Sequence, residues 1–332
     1  MSGILILTIL IVIGALVFDF INGFHDTANA IATSVSTKAL KPRQAIVLAA
    51  IMNFLGALTF TGVAKTITSD IVDPFHLQNG HVVILAALLS AIAWNLITWY
   101  FGIPSSSSHA IIGSIAGAAI AAAGFASLKY AGFLKIIEGL IFSPLLAFVI
   151  GYIMYSIFKV IFKNNNLTKT NRSFRLIQIA TAALQSYSHG TNDAQKSMGI
   201  ITMALIANNY LTTTDIPFWV QVSCALAMGL GTSVGGWKII KTVGGKIMKI
   251  RPINGVAADL TGALVIFGAT YVHLPVSTTH VISSGILGVG SSHRLKGVKW
   301  GTAQRMLVTW VITLPISALL AASIYFILNI FF

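Results

Sequence analysis

Apolar stretches long enough to cross a membrane recur from one end of this chain to the other, and they restrict it to one solvent. A hydrocarbon core about 30 Å thick takes about 20 apolar residues in helical form, and about ten segments meet that need. They fall near Gly3–Thr37, Ala45–Ala64, His81–Phe101, Ile103–Gly124 and Ile136–Phe158, then near Leu176–Ala207, Phe218–Gly236, Gly255–His273, Leu274–Ser291 and Arg305–Phe332. Hydrophobic residues are 56% of the 332 and charged residues 9%, outside the soluble globular range. An all-α polytopic membrane protein is expected, because helices satisfy their own backbone groups in lipid. The one cysteine, Cys224, excludes an internal disulfide and a cysteine-rich metal site, and no structural metal is expected.

A formal net charge of +13 raises the question of a nucleic-acid partner, which the placement of the charge answers. With the N-terminus outside, the cytoplasmic loops collect Lys38, Lys41, Arg43, Lys159, Lys163, Lys169, Arg172, Arg175, Lys238, Lys241, Lys246, Lys249, Arg251, Arg294, Lys296, Lys299 and Arg305. Only Lys65, Lys129 and Lys135 fall outside, with Lys196 inside a segment. This is a positive-inside bias: the charge reports topology and contact with the bilayer rather than nucleic acid, and both termini are expected to be extracellular. "ANA" at Ala28–Ala30 has the shape of a signal-peptidase site, but no basic residue precedes the apolar run, so an uncleaved first segment is expected.

Two short motifs occur twice. "GFHDTANA" at Gly23–Ala30 is answered by "GTNDAQKS" at Gly190–Ser197, and "PSSSSH" at Pro104–His109 by "PVSTTH" at Pro275–His280. The interval from Asp26 to Asp193 is nearly that from His109 to His280, so the copies are in register. "KTI" at Lys65 and "KTV" at Lys241 are a fainter echo. Five segments per half is an odd number, so the second copy threads the membrane in the opposite direction. The expected architecture is two inverted-topology repeats, residues 1–165 and 166–332, with broken or re-entrant helices. Secondary transporters built this way hold substrate near the midplane at the repeat interface.

Each motif has a chemistry. Proline followed by hydroxyls suits a helix first turn, where N–H groups, hydroxyls and the positive end of the dipole converge on an oxyanion. Ser105, Ser106, Ser107 and Ser108 from one half and Ser277, Thr278 and Thr279 from the other are the candidate anion ligands; hydroxyls in membranes also glue helices together. His109 and His280, one turn in, orient the hydroxyls, carry protons or fill polar space. Asp26 and Asp193 lie in apolar segments longer than one straight span, which implies a break near each, with freed carbonyls. Those carbonyls, the aspartates, Asn29 and Asn192 are hard oxygen ligands for a small cation, or the aspartates cap the breaks. His25 and His189 beside them are alternative proton carriers, and Lys196 is placed to pair with Asp193 on one helix face. Asp259 is either a helix cap or a further cation site; Asp19 and Glu138 are further intramembrane acids without an assigned role. Importing a dianion against about 100 mV costs about 4.6 kcal/mol, which binding alone cannot supply and a cotransported cation can. A site with acceptors beside the anion favours phosphate, which has a proton to donate, over sulfate.

"FDFINGFHDTANAIATSV", "SHGTNDAQKSMGI", "IPSSSSHAIIG" and "LPVSTTHVISSG" resemble the paired signature regions of the inorganic phosphate transporter family, the Pit-type permeases, over nearly the whole chain. The resemblance implies symport of phosphate with sodium or protons, in some bacterial members as a neutral metal–phosphate complex. It carries cation and phosphate ligation onto Asp26, Asn29, Asn192, Asp193, the two hydroxyl turns and Asp259. His25 stands where Asn is commoner, and no acid precedes the first hydroxyl turn; both departures favour proton coupling. Sulfate permeases share the family, and a passive anion channel or a membrane-embedded enzyme are the other classes. The long central loop of animal members is lacking, as expected of a bacterial plasma-membrane form. A cofactor is not expected beyond the coupling ion, and a homodimer is compatible with the sequence.

Overall fold

The computed structural model describes residues 3–73, 75, 79–164 and 167–331. The repeat boundary expected at 165/166 and the end of the tenth segment at Phe332 lie outside them. The described chain is helical: α1 Gly3–His25, α2 Thr27–Ser36, α3 Pro42–Ala57, α4 Gly62–Ser69, α5 Gly80–Phe101, α6 Ser107–Ala123, α7 Tyr130–Ile161, α8 Leu167–Ala207, α9 Phe218–Val234, α10 Trp237–Gly245, α11 Pro252–Tyr271, α12 Thr278–Arg294 and α13 Trp300–Leu328.

Local sequence sets the helix ends. Pro42 and Pro252 open α3 and α11, where a missing N–H costs nothing. Gly102 closes α5 at φ +65°, and the Pro104 and Pro275 stretches stay non-helical until the hydroxyl turns begin α6 and α12. Five helices have the length and apolarity of a membrane span, or up to seven if α3–α4 and α9–α10, bent by 68° and 74°, each count as one. This is fewer than ten because α6 and α12 start part-way along and are 17 residues each, while α8 carries a dense polar face.

Burial is inverted relative to a soluble protein. Asp19, Asp193 and Lys196 are fully buried, while Phe142, Val149, Val311 and Leu319 stand exposed on α7 and α13. An apolar exterior around buried charge is what lipid requires. Loops sort to two ends. At one, Thr242 bonds the Gly102 carbonyl, Lys299 N–H bonds Ile247 and Tyr155 pairs with His293 at 2.7 Å. At the other, Lys65 pairs with Asp215 at 2.6 Å and Thr66 bonds the His273 carbonyl at 2.8 Å.

Helix pairings come in twos: α12 packs on α7 and α6 on α13, α3 on α8 and α9 on α1, α4 on α8 and α10 on α2. The motif glycines make two of these approaches. A Cβ at Gly23 would strike the backbone of Met228 and Thr232 in α9, and one at Gly190 the backbone of Asn53 in α3. Backbone does not yield as a side chain does, so glycine is required at the closest approach. Gly23→Val and Gly190→Val should therefore lower stability by about 1–3 kcal/mol or more through overpacking. Thermal melts of the detergent-purified variants check this, and unchanged melting would contradict so close an approach.

Candidate functional site

The two aspartate motifs and the two hydroxyl turns meet in one buried cluster. Asp26 sits between α1 and α2 with φ −90° and ψ −32°, its N–H bonded to Asn22 at 2.9 Å and its carbonyl to Asn29 N–H at 2.9 Å. Its Oδ1 accepts from Thr279 at 2.9 Å and lies 2.7 Å from His25 Nδ1, and its Oδ2 accepts from Ser107 at 2.6 Å. Asp193 is held in the same way: Oδ2 accepts from Thr278 at 3.0 Å and Oδ1 from Lys196 at 2.7 Å. Lys196 Nζ also donates to Ser107 Oγ at 3.3 Å, which ties the two carboxylates together. Thr279 accepts from Asn29 at 2.9 Å, a bond between the halves of the chain. None of these side chains is more than 2% exposed.

Of the two expected backbone breaks, the one at Asp193 is corrected here. At Asp26 the helix is interrupted for one residue only, and at Asp193 it is continuous, since α8 runs unbroken from Leu167 to Ala207. Asp193 finds its partners on its own helix face, with Lys196 three residues on and His189 four residues back, its Nε2 3.2 Å from Oδ2. No opened turn is needed to satisfy it, and the extra length of α8 extends to Leu167, past the basic residues Arg172 and Arg175. A continuous α8 leaves no freed backbone carbonyls beside Asp193.

Hydroxyls divide by role. Ser106 and Ser277 are N-caps, accepting from the His109 and His280 N–H groups at 3.1 and 3.3 Å. Ser105 pairs with Thr98 at 2.7 Å, and Ser108 donates to the Val276 carbonyl at 2.7 Å. Ser107, Thr278 and Thr279 are the three that reach the carboxylates. All lie in the first turn of α6 or α12, so the positive ends of both helices also face Asp26 and Asp193.

Among the remaining expected residues, Asn192 bonds Thr270, the Leu274 carbonyl and Val276 N–H, so it fixes the turn before α12. His25 and His189 touch the carboxylates, and reach outward to Thr98 and Asn53. His109 and His280 do not: their rings face each other at 4.5 Å, His280 stacks on Trp310, and both line an apolar cavity of about 560 Å³. Asp259 is not a helix cap, because α11 is opened by Arg251 and Pro252. It is fully buried two turns inside, accepting from Thr33 at 2.5 Å and Thr181 at 3.1 Å. Glu138 is exposed on α7. Thr98 and Asn53 belong to no motif that the sequence singles out; Thr181 is one residue of the polar face of α8, and Thr33 lies within the first signature stretch, where nothing in the spacing marks it as a partner of Asp259.

A model of the phosphate transporter family matches residues 22–321, which takes in every part of this cluster. The chain belongs to the phosphate transporter family. It is 79% identical over its full length, and that of the relative, to the probable low-affinity inorganic phosphate transporter of Bacillus subtilis (strain 168). It is 46% identical to the protein of the same description from Rhizobium meliloti (strain 1021), over 94% of this chain and 93% of the relative. A solved structure described as "The sodium-dependent phosphate transporter" superposes with a TM-score of 0.92 at 25% identity, covering 98% of this chain and 100% of that one. The family is one of transporters, not enzymes.

Lys196 is the lysine of the cluster, and its loss leaves Asp193 a buried carboxylate without its cation. Removing one partner of such a pair costs about 3–5 kcal/mol. Lys196→Met should melt at lower temperature than wild type, and the double variant Asp193→Asn/Lys196→Met should recover part of the loss. A double variant no more stable than the single one would contradict the pairing.

Proposed function

We propose that this protein is a symporter that imports inorganic phosphate with sodium or a proton, by alternating access of two inverted repeats, residues 1–165 and 166–332, around the buried cluster. One observation carries the reading: carboxylates, hydroxyls and a lysine from both halves share a single network, with Asn29–Thr279 and Lys196–Ser107 crossing between them. The paired helix contacts support the repeat, and the grouping of basic loops at one end supports a bacterial plasma-membrane protein with both termini outside.

The network also supplies a coupling mechanism. Ser107, Thr278 and Thr279 are the donors an oxyanion needs, and all three are engaged by Asp26 and Asp193. A cation that takes the carboxylate oxygens, with Asn29 Oδ1 as a further buried acceptor lacking a partner, frees these hydroxyls for phosphate. Lys196 then lends its charge to the anion. The phosphate proton finds acceptors in the same carboxylates, which favours phosphate over sulfate. Sodium as the ion is supported by the sodium dependence ascribed to the superposed transporter and by the oxygen-rich donor set; a proton is supported by His25 and His189 against the two carboxylates.

Radiolabelled phosphate uptake into proteoliposomes, with a sodium gradient, a proton gradient or neither, tests this. Accumulation above equilibrium is expected with one gradient only, and Asp26→Asn or Asp193→Asn should abolish it while the protein still inserts. Ser107→Ala should raise the phosphate concentration needed for half-maximal uptake. Equilibration without any gradient would mean a channel and overturn the reading.

A further inference from the structure

We infer that Asp19 is the centre of a further binding site for a small monovalent cation, separate from the Asp26–Asp193 cluster; the inference extends the proposed cation coupling. Asp19 is fully buried on α1, and neither carboxylate oxygen has a hydrogen-bond partner. The Ser197 hydroxyl of α8 lies beside it without completing a bond. Asn22, one turn further along α1, is also fully buried with its amide oxygen and nitrogen unpartnered. Asn95 of α5 is in the same condition. Its level follows from the register: Gly14 meets Leu88 and His25 meets Thr98, so α1 and α5 run parallel, and Asn95 falls at the level of Asn22, one turn before that last contact.

Four buried polar side chains without partners, gathered from three helices, are not explained by packing, since each would be costly there. A buried carboxylate in a membrane needs a cation. Lys196 does not serve, being engaged by Asp193 and Ser107. One carboxylate with neutral amide and hydroxyl oxygens is a hard donor set with a single negative charge, which suits an alkali cation better than a divalent one.

Position gives the site its purpose. Asp19, Asn22, Asp26, Asn29 and Thr33 recur at the i, i+3, i+7 spacing of one helical face across α1 and α2. Asp19 is about 10 Å along the axis from Asp26, on the N-terminal side. Thr33 at the other end reaches Asp259. The stripe thus joins three buried acids, with the phosphate cluster in the middle, and Asp19 is the cation station before it.

Thermal melts of the purified protein without phosphate, in sodium chloride against choline chloride at equal ionic strength, test the site without reference to transport. In an Asp26→Asn/Asp193→Asn background, sodium is expected still to raise the melting temperature, and adding Asp19→Asn should abolish that shift. Ser197→Ala, a milder change, should move the sodium midpoint to higher concentration, which keeps the test open if Asp19→Asn does not fold. A sodium shift that survives Asp19→Asn, no shift in the background variant, or a response to pH in choline that replaces the sodium response would each overturn the inference. Failure of gradient-driven uptake would instead count against the transport reading and leave this result standing.

Discussion

Two carboxylates buried among apolar helices have to be given donors, and much of this molecule's architecture derives from that need. Water is absent at mid-membrane, so the donors must come from the protein. They come from the first turns of α6 and α12, whose hydroxyls and dipoles face Asp26 and Asp193, and from Lys196. For those turns to begin there, Pro104 and Pro275 must hold the chain out of helix, and Ser106 and Ser277 must cap the helices that begin after them. For the aspartates to reach them, α1 and α8 must pack closely on α9 and α3, which glycine at positions 23 and 190 permits.

The same donors are what gives the site its chemistry. Hydroxyls that satisfy carboxylates are bound reversibly by neutral-to-charged hydrogen bonds, stronger than ordinary ones yet open to exchange. In the proposed coupling, a cation and an anion arriving together replace each other's partners with little net change in the number of bonds. The two halves are not equivalent in this respect. Lys196 stands where the first half has Asn29, and Asn192 where it has His25, so Asp193 has a lysine at 2.7 Å that Asp26 lacks, while a histidine lies beside each carboxylate. Asp259 likewise lies in a polar nest of Thr33 and Thr181, whereas on the opposite side Leu88 lies against Gly14 in an apolar setting.

Much of this was legible in the sequence because membrane physics writes in few letters. Apolar length gave the helices, and the doubled aspartate and hydroxyl motifs named the residues that converge. No acid occurs from Pro74 to His109, so the sequence already left Asp259 without a counterpart in the first half. What length could not tell is where excess residues go: the long segment around Asp193 reads as a broken span, and it is one continuous helix in which Lys196, from the same face, and Thr278, from α12, satisfy the carboxylate without an opened turn. Nor could motif spacing separate capping hydroxyls from those aimed at the carboxylates, since Ser106 and Ser107 are neighbours with opposite directions. Asp259 read equally well as a cap because the true start of α11, at Pro252, lies before the apolar segment begins.

If cation and phosphate compete for, and so release, one another's partners in a single cluster, linkage requires that their coupling be reciprocal. The most direct measurement is the equilibrium dissociation constant of phosphate for the purified protein across a series of sodium concentrations, repeated across pH in choline. Phosphate is expected to bind more tightly as one of these two cations rises, and the cation to bind more tightly by the same factor when phosphate is present. A phosphate affinity indifferent to both sodium and pH would contradict a shared cluster.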